Sequence, residues 1–174
     1  AKFFREQLLS ALELLDHGHL PLGVKGSWAG AMGNHQFIPS TYKGYAVDFD
    51  GDGKRDLWGS LPDIFASAAN YLSRSGWQSD KTWGREVSIP SHFDIGLSGM
   101  GTQKPLSEWS RLGLRRADGS RLPRVAIEAS LLIPAGYKGP AFLVYKNYRT
   151  TLVWNRSHLY ALAVGHLSDR LIGL

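Results

Sequence analysis

The sequence predicts an α+β fold, with helices in its first half and at its C-terminal end and a small sheet between them. Three observations carry this. Apolar residues recur at helical spacing before residue 75 and again after Ser157, short β-rich runs crowd into residues 84–150, and Gly, Pro or capping residues punctuate the joins.

Taken in order, Phe4, Leu8, Leu9, Ala11, Leu12 and Leu15 mark one face of a first helix over 3–15. Asp16-His17-Gly18-His19 ends it, with Gly18 suited to a left-handed cap. After a glycine-rich stretch, Gln36 to Tyr45 has the length of a short helix with Pro39 near its start. Ser60 caps a further helix carrying Ile64, Phe65, Ala68, Ala69, Tyr71 and Leu72 and ending at Gly76. Residues 85–89, 129–133 and 141–145 read as strands, Pro105–Trp109 as a short helix, and 117–120 and 134–136 as turns. Leu159, Tyr160, Leu162, Ala163, Leu167 and Leu171 then restore helical spacing. The expected organisation is therefore 1–83 helical, 84–150 β-rich, and 151–174 returning to the helical core.

Composition narrows the function. With 174 residues the chain suits one domain, and six Trp, seven Tyr and seven Phe offer flat faces of the kind that hold sugar rings. The net charge of +5 favours an anionic partner, but the basic residues are scattered and no nucleic-acid-binding signature accompanies them. There is no cysteine, which excludes disulfides and thiolate metal sites. No apolar run approaches the ~20 residues a membrane span needs.

Asp48-Phe49-Asp50-Gly51-Asp52-Gly53-Lys54-Arg55-Asp56 places carboxylates at positions one, three, five and nine of a glycine-interrupted loop, the spacing of a calcium loop. Like charges so close together repel, and a hard cation among them relieves the repulsion. The twelfth position, where a helical calcium loop carries Glu, is Gly59; the next carboxylate downstream is Asp63. An ordinary solvated Asp/Gly turn is the plainer alternative.

The block from Gly26 to Ser40 is poor in bulky side chains and lets backbone approach a ligand, or alternatively a neighbouring helix, closely. It lacks the Gly-Lys-Ser/Thr of a phosphate loop. Trp154-Asn155-Arg156-Ser157-His158-Leu159-Tyr160 sets an amide, a hydroxyl and a phenol where a strand region is expected to meet the last helix. Taken singly, Asn155 also suits a cap and Tyr160 a half-buried core position. The six histidines show no ligand spacing. None of the glutamates, Glu6, Glu13, Glu86, Glu108 and Glu128, stands out as a buried acid.

Together these pieces resemble the B-type lytic murein transglycosylases, glycoside hydrolase family 103. Gly26-Ser27-Trp28-Ala29-Gly30-Ala31-Met32-Gly33, Gln36-Phe37-Ile38-Pro39-Ser40, Tyr45-Ala46-Val47-Asp48, Asp56-Leu57-Trp58, Ala68-Ala69-Asn70-Tyr71-Leu72, Gly76-Trp77 and the Trp154–Val164 segment carry the likeness, which spans the whole chain.

The resemblance implies a lysozyme-like helical core with a small β insertion. It implies a periplasmic, monomeric enzyme that cleaves the MurNAc-GlcNAc bond of peptidoglycan glycan strands without water and leaves 1,6-anhydromuramoyl ends. One glutamate acts there first as acid, then as base. In the family it lies in a Gly-Ile-Glu segment; this sequence has none, so the catalytic residue is expected upstream of Ala1 and the chain by itself is expected to be inactive. The resemblance further implies that Ser27 and Asn155 orient that glutamate, Gln36 contacts glycan and Tyr160 lines the cleft. No cofactor is needed for the chemistry; a structural Ca2+ would be held by Asp48, Asp50, Asp52, the backbone oxygen of Lys54 and Asp63. Nucleic acid is not an expected partner, and membrane contact would come only through an anchor outside these residues. A non-catalytic peptidoglycan-binding module is the alternative reading.

Overall fold

The structure, a computed structural model, describes residues 2–136 and 138–173, so the expectations touching Ala1, Tyr137 and Leu174 lie outside the described residues. The chain forms two compact units, Ala1–Arg74 and Ser75–Leu174. This boundary differs from the sequence-based joins at 83/84 and 150/151. Trp83 packs with Phe142, Tyr148, Ala161 and Leu162, so the residues just before the sheet and the last helix share the sheet's core.

The first unit holds α1 (Lys2–Asp16), α2 (Pro39–Tyr45) and α3 (Leu61–Arg74). Gly18 closes α1 with φ +72°, as its position predicts. The apolar stripe read from the sequence is not the face α1 buries: Leu8 and Leu12 are exposed, whereas Gln7 and Leu14 are buried. The reason is α2, which packs on α1 and draws Gln7 to its own start. There Gln7 Oε1 accepts the Ser40 N–H at 3.0 Å, satisfying a donor that the helix end leaves free.

The expected helix over Gln36–Tyr45 begins only at Pro39. Gln36 is left-handed (φ +52°), and Met32 and Phe37 exchange both backbone hydrogen bonds, so 33–36 is the loop of a tight reversal. Pro39, which needs no N–H donor partner, then starts the helix.

The second unit is a five-stranded antiparallel sheet in the order β2-β4-β5-β1-β3. Its strands are β1 (Gly84–Ser88), β2 (Lys104–Pro105), β3 (Arg115–Arg116), β4 (Glu128–Leu132) and β5 (Ala141–Val144). The three longer strands match the sequence reading; the two-residue edge strands are too short to leave a pattern. β4 and β5 are buried on both sides, which explains their continuous apolar runs. Ala129, Leu131, Ala141 and Leu143 pack with Leu106 and Trp109 of α4 (Leu106–Arg111). Leu132, Phe142 and Val144 face Tyr148 of α5 (Lys146–Trp154) and Ala161 and Leu162 of α6 (His158–Leu171).

The helix α5 was not expected from the sequence. Its Thr150, Thr151 and Val153 favour strand by propensity, and tertiary contacts override them. Buried Asn147 accepts from Gln78 N–H and donates to the carbonyls of Gln78 and Lys81, tying α5 to the chain entering β1. In α6, Gly165 lies against the Trp83 indole so closely that a Cβ there would come within 2.5 Å of the ring. Trp83 Nε1 donates to Asp169 one turn further on, at 2.9 Å.

Candidate functional site

In the first unit, Ser27 and Gln36 sit at two turns of the glycine-rich segment. Ser27 is exposed. Its backbone N–H donates to Ala31 O, and its Oγ accepts the Ala31 N–H at 3.1 Å. Because Oγ is used as an acceptor, its own proton is left for an outward donor role. Gln36, also exposed, is held by its Nε2 donating to Gly33 O at 3.0 Å, which leaves its side-chain oxygen to solvent or ligand.

The close backbone approach expected of this block is made partly within the chain. A Cβ on Gly33 (φ +68°) would lie 2.8 Å from Leu57 Cβ. Asn34 donates from its backbone to Leu57 O and from Nδ2 to the carbonyls of Leu57 and Trp58. The Gly33–Gln36 loop is thereby docked on the chain leaving the acidic loop.

That acidic loop is built around one buried carboxylate. Asp63, in the first turn of α3, is fully buried; its Oδ1 accepts from the amides of Phe49 (2.7 Å) and Asp50 (3.4 Å) and its Oδ2 from that of Asp56 (2.8 Å). Asp48 accepts the amides of Gly51 and Gly53, both left-handed glycines, and Asp50 Oδ2 accepts the Ser60 hydroxyl at 2.6 Å. Asp48, Asp50 and Asp63 each bring one oxygen to within 4.8 Å of the others. Asp52 turns its Oδ1 to the Lys54 amide instead, at 2.8 Å, outside that three-carboxylate group.

Five carboxylates lie between residues 48 and 63 against two cations, Lys54 and Arg55, leaving a local charge of −3. An all-oxygen, net-negative donor set of this kind fits a hard divalent cation such as calcium. Asp56 stands apart from the group: amides of Gly59 first, then Trp58, bond its carboxylate and hold it below the usual range. The sequence showed Ser60 only as a helix cap and gave no sign that it also bonds Asp50. Buried Tyr42 was not singled out either. Its hydroxyl lies 2.6 Å from Arg55 O and 3.0 Å from His19 O, supporting the loop's exit.

In the second unit, the segment expected to join a strand to a helix joins α5 to α6. Asn155 is the C-cap of α5, and its Oδ1 accepts the Ser157 N–H at 2.9 Å. Ser157 caps α6 by accepting the Tyr160 N–H. The side-chain cap at this join is thus Ser157, while Asn155 ends α5 and turns its Oδ1 to the Ser157 amide, leaving the exposed Nδ2 to donate. Tyr160 is 38% exposed, so part of its ring faces solvent.

Of the glutamates, Glu6, Glu13, Glu86 and Glu128 are exposed, and Glu108 is paired with Lys104. Glu13 accepts from Lys43 Nζ at 2.6 Å, which holds its carboxyl below the usual carboxylate range. None of the five sits in an apolar pocket of the kind that keeps a catalytic acid protonated.

A family model described as the transglycosylase SLT domain matches residues 1–169. The chain belongs to this transglycosylase family. It is 33% identical to membrane-bound lytic murein transglycosylase B of Escherichia coli K12, over 97% of this chain and 46% of that protein. Among solved structures, SltB3 of Pseudomonas aeruginosa in complex with NAG-anhNAM-pentapeptide is 52% identical with a TM-score of 0.94, covering 99% of this chain and 47% of that one. The E. coli lytic transglycosylase Slt35 in complex with calcium matches at 34% identity and TM-score 0.79, over 97% and 53%. The chain thus spans about half the length of the relatives it matches. The resemblance to B-type transglycosylases and the lysozyme-like α+β fold are both borne out.

Proposed function

We propose that this transglycosylase domain serves a periplasmic enzyme that cleaves the MurNAc-GlcNAc bond of peptidoglycan and leaves 1,6-anhydromuramoyl ends. One observation carries the reading. The chain matches, over nearly its whole length at 52% identity, a structure holding NAG-anhNAM-pentapeptide, whose anhydro sugar is the product class such a reaction forms.

In this reading a glutamate outside these residues is the acid and base, consistent with the exposed or ion-paired state of the five present. The Ser27 hydroxyl and the Asn155 Nδ2 are each suited to donate to a carboxylate oxygen and fix its orientation, since neither group donates to a partner among the described residues. Gln36 offers its amide oxygen to sugar hydroxyls, and Tyr160 presents a phenol to the glycan. A calcium ion held by Asp48, Asp50 and Asp63, with Asp52 and the Lys54 carbonyl completing the shell, would stiffen the loop between α2 and α3 and take no part in the reaction.

The test is digestion of purified sacculi with the protein expressed from its gene, followed by mass spectrometry of the soluble muropeptides. Anhydromuropeptides are expected. Products with reducing ends only would refute the transglycosylase assignment, and retention on sacculi without any soluble product would favour the non-catalytic binding module.

A further inference from the structure

We propose that an arginine-lined pocket of the second unit binds the free carboxylate of a short aliphatic peptide. The pocket, about 620 Å³, lies between α4, Arg115 of β3 and residues 121–126. Its size is that of a small-ligand site.

Its charge is one-sided. Arg115, Arg121 and Arg124 line it, no acidic residue does, and among the described residues no carboxylate lies within 4 Å of any of the three. The nearby acids are engaged elsewhere: Glu108 pairs with Lys104, and Asp118 accepts the Ser120 amide. Arg115 is half-buried and already oriented, its Nη1 donating to Leu114 O at 2.8 Å and to Ser110 O at 3.2 Å. Its Nε and Nη2 donors remain for a ligand, and a guanidinium so fixed loses little freedom on gripping a planar carboxylate. Ser107 and Ser110 add hydroxyls to the lining.

The rest of the wall decides the class of anion. Pro123 and Val125 supply the accessible aliphatic surface over buried Leu106 and Leu122, and no aromatic ring lines the pocket on which a base could stack. The three arginines also gather at one spot, whereas a nucleic-acid backbone needs an extended basic track. A compact ligand with a carboxylate head and small aliphatic side chains fits both features. Resting on the proposed function, the source of that ligand is the peptide stem of peptidoglycan, so the pocket would make the enzyme favour peptide-bearing glycan.

The experiment is a titration followed by 15N–1H correlation spectra. The probes are N-acetyl-D-alanyl-D-alanine, the same dipeptide as its C-terminal amide, and inorganic phosphate. The free acid is expected to shift the amides of Ser107, Ser110, Arg115 and residues 121–126, and the amidated form to bind at least about tenfold more weakly, as loss of charged hydrogen bonds requires. The exchange Arg121→Gln with Arg124→Gln is expected to weaken the acid by about tenfold or more at an unchanged melting temperature. Should the double exchange disturb folding, Arg124→Gln alone, at an exposed side chain, repeats the test. Equal binding of acid and amide, tighter binding of phosphate than of dipeptide, or shifts located elsewhere would overturn the proposal. No glycan turnover is involved, so failure here leaves the transglycosylase reading standing, and failure of the sacculus assay leaves the pocket's chemistry intact.

Discussion

Replacing Asp63 with Asn should cost this protein a large share of its stability, because one buried carboxylate organises the whole acidic loop. Its two oxygens take three backbone amides, from Phe49, Asp50 and Asp56, at a side chain with no solvent exposure. Asn keeps one acceptor and turns an NH2 group toward a backbone N–H. If the retained oxygen serves Phe49 and Asp50, the Asp56 amide is left facing a donor. A lost hydrogen bond to a charged group is worth roughly 1.5–3 kcal/mol, and a buried donor without a partner adds about 1–3 kcal/mol. Removing one of five clustered carboxylates relieves repulsion by up to about 1 kcal/mol. The net expectation is a loss of about 1.5–6 kcal/mol. With a urea m-value of roughly 2 kcal/mol/M, that is a midpoint about 1–3 M lower. Urea unfolding followed by tryptophan fluorescence, in EDTA and in calcium, measures it. Asp63→Ala, which removes both acceptors, should lose more. A loss under about 1 kcal/mol in both conditions would refute the argument, and a loss confined to calcium would move the organising role from the side chain to the ion.

Calcium at millimolar concentration should raise the melting temperature by several degrees, since a ligand at about 100 times its Kd stabilises by about 2.7 kcal/mol; the rise should vanish with Asp48→Asn and Asp50→Asn together. A rise that survives both exchanges would place the ion elsewhere. Gly33→Ala should cost about 2–4 kcal/mol by chemical denaturation, combining a left-handed backbone with a Cβ pressed to 2.8 Å from Leu57; a neutral result would mean the loop is not docked. Burial pushes Tyr42 and Tyr148 up to about 12. A raised folded value means their contribution is complete below about pH 10, where the unfolded phenols begin to ionise, and is lost as pH climbs toward 12, by about 2–3 kcal/mol for each tyrosine. Phenolate absorbance at 295 nm should therefore appear for these two only with unfolding, and Tyr148→Phe should flatten the alkaline fall in stability.

Much of this molecule is written locally. The periodicity of 64–72, the β-rich runs at 129–133 and 141–145, and Gly18 as a stop are decided by side-chain spacing and backbone freedom, and the structure places α3, β4, β5 and the α1 terminus accordingly. The acidic loop and the Gly26–Ser40 block were legible as motifs, because their chemistry depends on residues close in sequence. What a stretch of sequence does not contain is its partner. Gln7 is buried because α2 leaves an amide free there, and Gly165 tolerates a helix interior because the Trp83 ring fills its space. α5 is helical despite three β-branched residues because Asn147 is tied to Gln78 and Lys81 nearly seventy residues earlier. Likewise Asp63 closes the acidic loop from α3, and Arg115, Arg121 and Arg124 share a pocket with α4. The sequence by itself determined the family, the fold class and the types of residue available for chemistry. Only the tertiary structure decided which of them are held by the protein and which remain free to bind, because hydrogen-bond satisfaction and burial are properties of neighbours in space.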